Sequence, residues 1–149
     1  MIVVIMENIN SKGVNMMSEV RSAVAEYFTD LKNGVNNLIT CDKIREMHDN
    51  GDDFVVLDIR KPEDFEEGHI DNAVNIFWSE VGEHIDELPK DKRIVVVCYT
   101  GQSAGQVVSL LRLMGYTACS LKGGMTCDRN SLPMDASCDV DPAEATCES

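Results

Sequence analysis

The sequence predicts an α/β fold: a parallel sheet with helices on both faces. Three observations predict it. Two short β-branched runs, FVVLDI at 54–59 and IVVV at 94–97, lack polar alternation, as strands buried on both faces do. Segments with helical spacing separate such runs. The second run stops at Cys98, just before a short polar loop that feeds a helix. Open α/β sheets bind their ligands at such carboxyl ends of strands.

The elements follow in order. The start, MIVVIMENIN, carries a six-residue apolar run that is too short to span a bilayer and has no basic n-region. Met16 and Met17 are alternative starts, so residues 1–17 are expected to be unstructured. Ser18 reads as a helix cap, and Val20, Val24, Tyr27, Phe28 and Leu31 give an apolar stripe that Gly34 ends. Residues 18–34 are therefore expected to form an amphipathic helix packed on the domain, with self-association as the alternative role. Residues 36–134 are expected to form the α/β domain. Within it, 38–39 make a short strand, and Thr40 caps a helix that runs through Cys41, Ile44 and Met47 to Asn50-Gly51. The strand at 54–59 carries Asp58 at its end, with Arg60 just beyond. Pro62 opens one or two helical turns that Gly68 stops. Residues 73–76 are a third strand. Residues 80–88 read as a polar helix with Val81, Ile85 and Leu88 as its stripe. After the strand at 94–97, Val107, Val108, Leu110, Leu111 and Met114 mark a helix ended by Gly115. Residues 117–121 are the last strand, and Gly123-Gly124 a turn. The final segment, 135–149, has five acids and no base and is expected to be a disordered acidic tail.

Composition narrows the function. With 149 residues the chain suits one domain with extensions, and the 44% apolar content is ordinary for a globular protein. The net charge of −13 argues against nucleic acid and against anionic membrane surfaces as partners. Any anion site must then be built locally. Of the six cysteines, no pair is spaced C-x-x-C and none lies near a histidine at metal-ligand spacing. They read as reduced thiols in a cytoplasmic protein, those away from the strand ends being incidental. Neither a metal nor an organic cofactor is expected.

Cys98 is the residue that carries chemistry. A tight loop entering a helix presents unpaired backbone N–H groups, which favour an anion. Such a cradle stabilises the thiolate, the nucleophilic form of cysteine. From position alone a second reading stands beside it, since free cysteine is also a common small apolar end to a core strand. Asp58 and Arg60 read as a structural ion pair or a turn-fixing contact. His69 reads as a structural histidine bonded to backbone, and His48 and His84 as solvated on polar faces.

Three segments decide between the readings by resemblance. LDIRKPEDFEEGHIDNAVNI, 57–76, resembles the Asp-x-Arg strand end and Glu-x-x-x-Gly-His-Ile segment of single-domain rhodaneses. VVVCYTGQSA, 95–104, resembles their active-site loop, a cysteine with glycine in the fourth place and a helix behind. YTACSLKGGMTC, 116–127, is similar to the strand and Gly-Gly turn that close the domain. The resemblance implies a five-stranded parallel sheet flanked by helices, here with an N-terminal helical extension and an acidic tail. It implies a thiosulfate sulfurtransferase in which Cys98 takes up a sulfane sulfur as a persulfide. The amides of Tyr99, Thr100, Gly101, Gln102, Ser103 and Ala104 would bind substrate, with Asp58 and Arg60 supporting the loop. The implied partners are a small-molecule sulfur donor and a cyanide or thiol acceptor. A protein acceptor, with the domain as a persulfide carrier, is the alternative. Two positions depart from many members: Ser103 stands where the loop often ends in arginine, and Thr126-Cys127 stand where tryptophan is common. Related folds hydrolyse phosphate esters with Cys-x5-Arg, but the sixth residue after Cys98 is Ala104, so phosphatase chemistry ranks below sulfur transfer.

Overall fold

A computed structural model describes residues 2–127 and 132–134. Five parallel strands form one sheet in the order β1-β5-β4-β2-β3. They are β1 (Leu38–Ile39), β2 (Phe54–Asp58), β3 (Ala73–Asn75), β4 (Arg93–Val97) and β5 (Ala118–Leu121). The helices are α1 (Ile2–Lys32), α2 (Cys41–Asp49), α3 (Pro62–Glu67) and α4 (Gln102–Leu113). Short 3-10 turns occupy Ile85–Glu87 and Gly124–Thr126.

The central strand is β4, paired with β2 on one side and β5 on the other. Its residues 94–97 are fully buried, which is why the run shows no polar alternation. The pleat sends Ile94, Val96 and Cys98 to one face, where they meet Val107, Val108 and Leu111 of α4. Val95 and Val97 go to the other face, against Ile44 and Met47 of α2, Ile70 and Met125. The sheet thus carries two apolar cores, and Cys98 belongs to the α4 side.

Three sequence expectations need correction. Residues 80–88 do not form an α-helix. Successive i→i+3 bonds, such as Glu83 N to Glu80 O and His84 N to Val81 O, make tight turns that finish in the 3-10 turn. Val81 and Leu88 are still buried, so the apolar spacing recorded burial rather than helix.

The helix expected at 18–34 falls within a helix that runs Ile2–Lys32. No proline precedes Ser18, so nothing in the local chemistry compels a break there. Of the stripe on this helix, Tyr27 meets Ser109 and Arg112 of α4, while Val20, Val24, Phe28 and Leu31 are exposed. The acidic tail at 135–149 lies outside the described residues.

The third correction concerns the thiols. Cys41 and Cys127 are joined as a disulfide across 86 residues of sequence. Cys41 opens α2 just after β1, and Cys127 follows the 3-10 turn just after β5. Because β1 and β5 pair, with Leu38 beside Ser120 and Ile39 beside Leu121, the two cysteines meet beyond the same end of the sheet. Spacing along the chain carries no trace of that pairing. No helix among the described residues is long and apolar enough to cross a membrane. Closing so long a loop constrains the unfolded chain, so Cys127→Ser is expected to lower stability by about 2–4 kcal/mol in urea unfolding without reductant. Dithiothreitol should erase the difference from the parent protein; equal stability without reductant would contradict the bond.

Candidate active site

Cys98 stands at the carboxyl end of β4, and the next five residues turn the chain into α4. Gly101 caps that helix in the left-handed region at φ +96°. A side chain there would be strained, and its Cβ would press to 3.3 Å from the Leu121 carbonyl. The tight turn brings two amides onto the sulfur. Gly101 N donates to Cys98 Sγ at 3.1 Å, and Ala104 N donates to it at 3.4 Å. Ala104 lies in the first turn of α4, so its N–H has no partner in the helix and is free to serve the sulfur. Of the six loop residues expected to bind substrate, these two contact Sγ through their amides; no such bond joins Tyr99, Thr100, Gln102 or Ser103 to it. Cys98 is only 2% exposed.

The loop is held from below by the turn after β5. Met125 N donates to Cys98 O at 2.9 Å, and Thr126 N donates to Tyr99 O at 3.2 Å. That approach is so close that a Cβ on Gly124 would overlap the Cys98 carbonyl and come within 2.6 Å of the Tyr99 carbonyl. Gly124 therefore belongs to the site. The sequence marked Gly123-Gly124 as a turn; only the packing shows what the second glycine is for.

Asp58 and Arg60 form a buried, bidentate ion pair beside the loop. Arg60 Nη2 donates to Asp58 Oδ2 at 2.6 Å, and Nε donates to Oδ1 at 3.0 Å. Arg60 Nη2 also donates to Gly68 O at 2.7 Å, which ties the end of α3 to β2. The guanidinium is thus spent on the fold. Removing one partner of such a pair typically costs about 3–5 kcal/mol, because the other charge is stranded. Asn75 Nδ2 adds bonds to the Asp58 and Arg60 carbonyls at 2.9 and 3.0 Å. These contacts fix the end of β2, whose Ile59 N bonds Val97 O next to Cys98. Asn75 was not singled out from sequence.

Tyr99 reaches the other way. Its hydroxyl donates to Asp64 on α3 and accepts from Lys61 N at 3.3 Å. The ring is 44% exposed at the rim of the site. Partial burial pushes its phenol up from the usual value, the Asp64 contact adds to this, and the Lys61 amide and Arg60 charge oppose it.

The other groups lie apart. Cys119, the remaining free thiol among the described residues, faces the opposite side of the sheet, and burial pushes it up. His69 bonds the Phe65 carbonyl at 2.9 Å and stacks on its ring, as expected of a structural histidine. His48 is not merely solvated: Nε2 lies 3.3 Å from Asp71, whose carboxylate raises it, aided by Asp49. A cleft of about 740 Å³, lined in part by Tyr27, Asp30, Arg93 and Arg112, lies at the opposite ends of the strands and touches no loop residue. Among the described residues no cluster of His, Cys, Asp and Glu could hold a metal.

The profile of the Rhodanese-like domain matches residues 40–127, which span α2 to the turn after β5. The chain belongs to the rhodanese-like family. The thiosulfate sulfurtransferase PspE of Escherichia coli is 37% identical over 71 residues, covering 46% of this chain and 68% of the relative. The thiosulfate sulfurtransferase GlpE of Pseudomonas aeruginosa is 33% identical over 100 residues, covering 66% and 89%. Among solved structures, a rhodanese-related protein of Thermoplasma volcanium superposes with a TM-score of 0.56 at 29% identity, over 60% of this chain and 87% of that one. The solution structure of a rhodanese-like domain from Anabaena gives 0.62 over 76% and 90%; at 23% identity it speaks for the fold. The matched profile starts at residue 40, after α1 and β1.

Two predictions follow from the loop's supports. Gly124→Ala should displace the Cys98–Tyr99 peptide and lower any Cys98-dependent activity about 100-fold, the scale of a 1 Å misplacement. Circular dichroism should show the fold retained; full activity would refute the close approach. For Tyr99 the folded value lies above the unfolded 10.0, so the tie to α3 contributes stability below pH 10 and loses it as pH rises through the raised value. The stability gap between the parent protein and Tyr99→Phe in urea should therefore be present at neutral pH and close above pH 10.

Proposed function

We propose that the protein is a sulfurtransferase of the rhodanese kind that carries sulfane sulfur on Cys98. The observation that supports this most is the pair of amides aimed at Cys98 Sγ from the start of α4. The relatives named thiosulfate sulfurtransferase supply the substrate class.

The Cys98 thiolate attacks the outer sulfur of a donor such as thiosulfate. The sulfur–sulfur bond of the donor breaks, and sulfite leaves with the electron pair. Cys98 then holds a persulfide, whose terminal sulfur carries the negative charge. Fixed N–H dipoles at Gly101 and Ala104 stabilise the thiolate before the step and the anionic sulfur after it, without reorganising. Removing one such donor in an oxyanion hole costs about 2.7–4 kcal/mol, so backbone placement is worth as much as a side chain here. A thiophile, cyanide or a thiol, next attacks the terminal sulfur and releases Cys98 as thiolate. Two displacements through a covalent intermediate give ping-pong kinetics.

One observation favours the carrier reading within this chemistry. Residues 99–104 contain no cation, and Arg60 is occupied by Asp58 and Gly68. Within that loop a sulfonate meets N–H dipoles and no charge, which suits a persulfide exchanged with a protein thiol better than free thiosulfate.

Intact mass after incubation with excess thiosulfate tests the proposal. A gain of one sulfur, about 32 Da, removed by cyanide and absent in Cys98→Ser, is expected. No gain from thiosulfate but a gain from glutathione persulfide would favour the carrier; no gain from either would end the sulfurtransferase reading.

A further inference from the structure

The Cys41–Cys127 disulfide stands directly behind the turn that clamps the Cys98 loop. Cys127 is the residue after that turn, and its N–H donates to Gly124 O at 3.2 Å. Gly124 is the residue packed against the Cys98 and Tyr99 carbonyls. A second line of contact runs through Gly123. A Cβ there would lie 3.7 Å from Cys127 Cβ. A Cβ on Gly101, whose amide donates to Cys98 Sγ, would lie 3.5 Å from Gly123 N. The turn and the cap of α4 both hold Cys98, and both bear on Cys127.

The other end of the bond is firmly seated. Cys41 is the first residue of α2, whose cap Thr40 accepts from Lys43 N at 3.3 Å. The helix packs Ile44 and Met47 into the core on the face away from α4, and Ile44 is fully buried. The turn, by contrast, has three residues in 3-10 geometry and two hydrogen bonds to the loop. Such short i→i+3 turns have poor hydrogen-bond geometry and hold their place weakly. The covalent bond ties the turn to α2 instead. A bond that served only stability would act through the unfolded chain and leave the folded cradle where it is. Both cysteines are partly exposed, within reach of an outside thiol.

We propose that Cys41 and Cys127 are positioning residues for Cys98. Their bond fixes the turn that places the sulfur against the Gly101 and Ala104 amides, and its reduction by a dithiol slows sulfur uptake without unfolding the protein. The kinetic half of this rests on the sulfurtransferase reading; the placement half does not. Reduction takes two exchanges. One thiolate of the dithiol attacks Sγ of either cysteine, the Cys41–Cys127 bond breaks, and the other cysteine leaves as thiolate. The second thiol of the dithiol then attacks the mixed disulfide and closes on its own partner. The protein gains two electrons and two protons as two thiols, and the dithiol becomes a cyclic disulfide.

Two measurements on the full chain test this. In isotope-labelled parent protein, the amide resonances of Gly101 and Ala104 report the cradle directly. Dithiothreitol should shift both while circular dichroism stays unchanged. Unmoved resonances overturn the proposal, as does the same shift in Cys41→Ala with Cys127→Ala, where there is no bond to reduce. The second measurement is single-turnover sulfur uptake from thiosulfate or glutathione persulfide, followed by intact mass. The double alanine variant serves here, because a reductant would itself take the sulfur. Its rate constant at saturating donor should fall about 10-fold, a part of the 100-fold scale of a 1 Å misplacement, with the half-saturating donor concentration unchanged. Cys41→Ala alone should show the same fall, since it breaks the bond from the α2 side. Added to Gly124→Ala, which already displaces the clamp, the double alanine change should cost less than about 2-fold more. A fully additive loss, or an uptake rate equal to the parent's, overturns the proposal. No uptake by the parent protein from either donor would end the sulfurtransferase reading instead, and the resonances would still decide the placement.

Discussion

The peptide between Cys98 and Tyr99 is clamped between two neighbours, and the candidate site depends on that clamp. The turn after β5 holds the Cys98 and Tyr99 carbonyls through the Met125 and Thr126 amides, with Gly124 packed against them. The start of α4 then holds the sulfur through the Gly101 and Ala104 amides. Neither contact survives a shift of one residue in register. This ties the site to the strand order, because only β5 beside β4 brings the Gly-Gly turn under the loop. It also explains why three short segments, far apart in the chain, are needed to define one sulfur.

The electrostatics of the site are local. The protein as a whole is strongly acidic, yet the sulfur is met by N–H dipoles in a nearly dry setting. Fixed dipoles lose little to screening there, and they need no side-chain entropy to be positioned. Arg60, just beyond the end of β2, is neutralised by Asp58 and braces β2 against α3. The fold thus separates two tasks that a single arginine could have merged: holding the architecture and holding an anion.

The thiols are separated in the same way. The pleat sends Cys98 to the α4 face and Cys119 to the α2 face, while Cys41 and Cys127 are closed on one another. The bonded pair stands one residue after the turn that clamps the loop, so the segment under Cys98 is anchored to α2 as well as to the sheet. Between two exposed helical surfaces, that of α1 differs in kind: its polar side meets α4 and its apolar line meets solvent.

The sequence by itself determined the sheet and the place of the sulfur. Apolar runs without polar alternation are stable where both faces are covered, so the runs at 54–59 and 94–97 read as interior strands. A cysteine between such a strand and a helix stands beside unpaired amides, and resemblance rather than position chose the amide cradle over a buried apolar strand end. Local signals failed where their meaning came from elsewhere in the chain. The spacing of Val81, Ile85 and Leu88 is met by a chain of tight turns as well as by a helix. Ser18 has the chemistry of a cap but lies inside a continuous helix. The stripe of α1 was visible, but which way it faces depends on Arg112, Asp30 and Asn37, residues up to 82 apart that only the fold assembles. The Cys41–Cys127 bond, the role of Gly124 and the bracing by Asn75 were likewise decided by tertiary structure. Each is a contact between segments brought together by strand pairing, and no periodicity along the chain encodes a distance across the sheet.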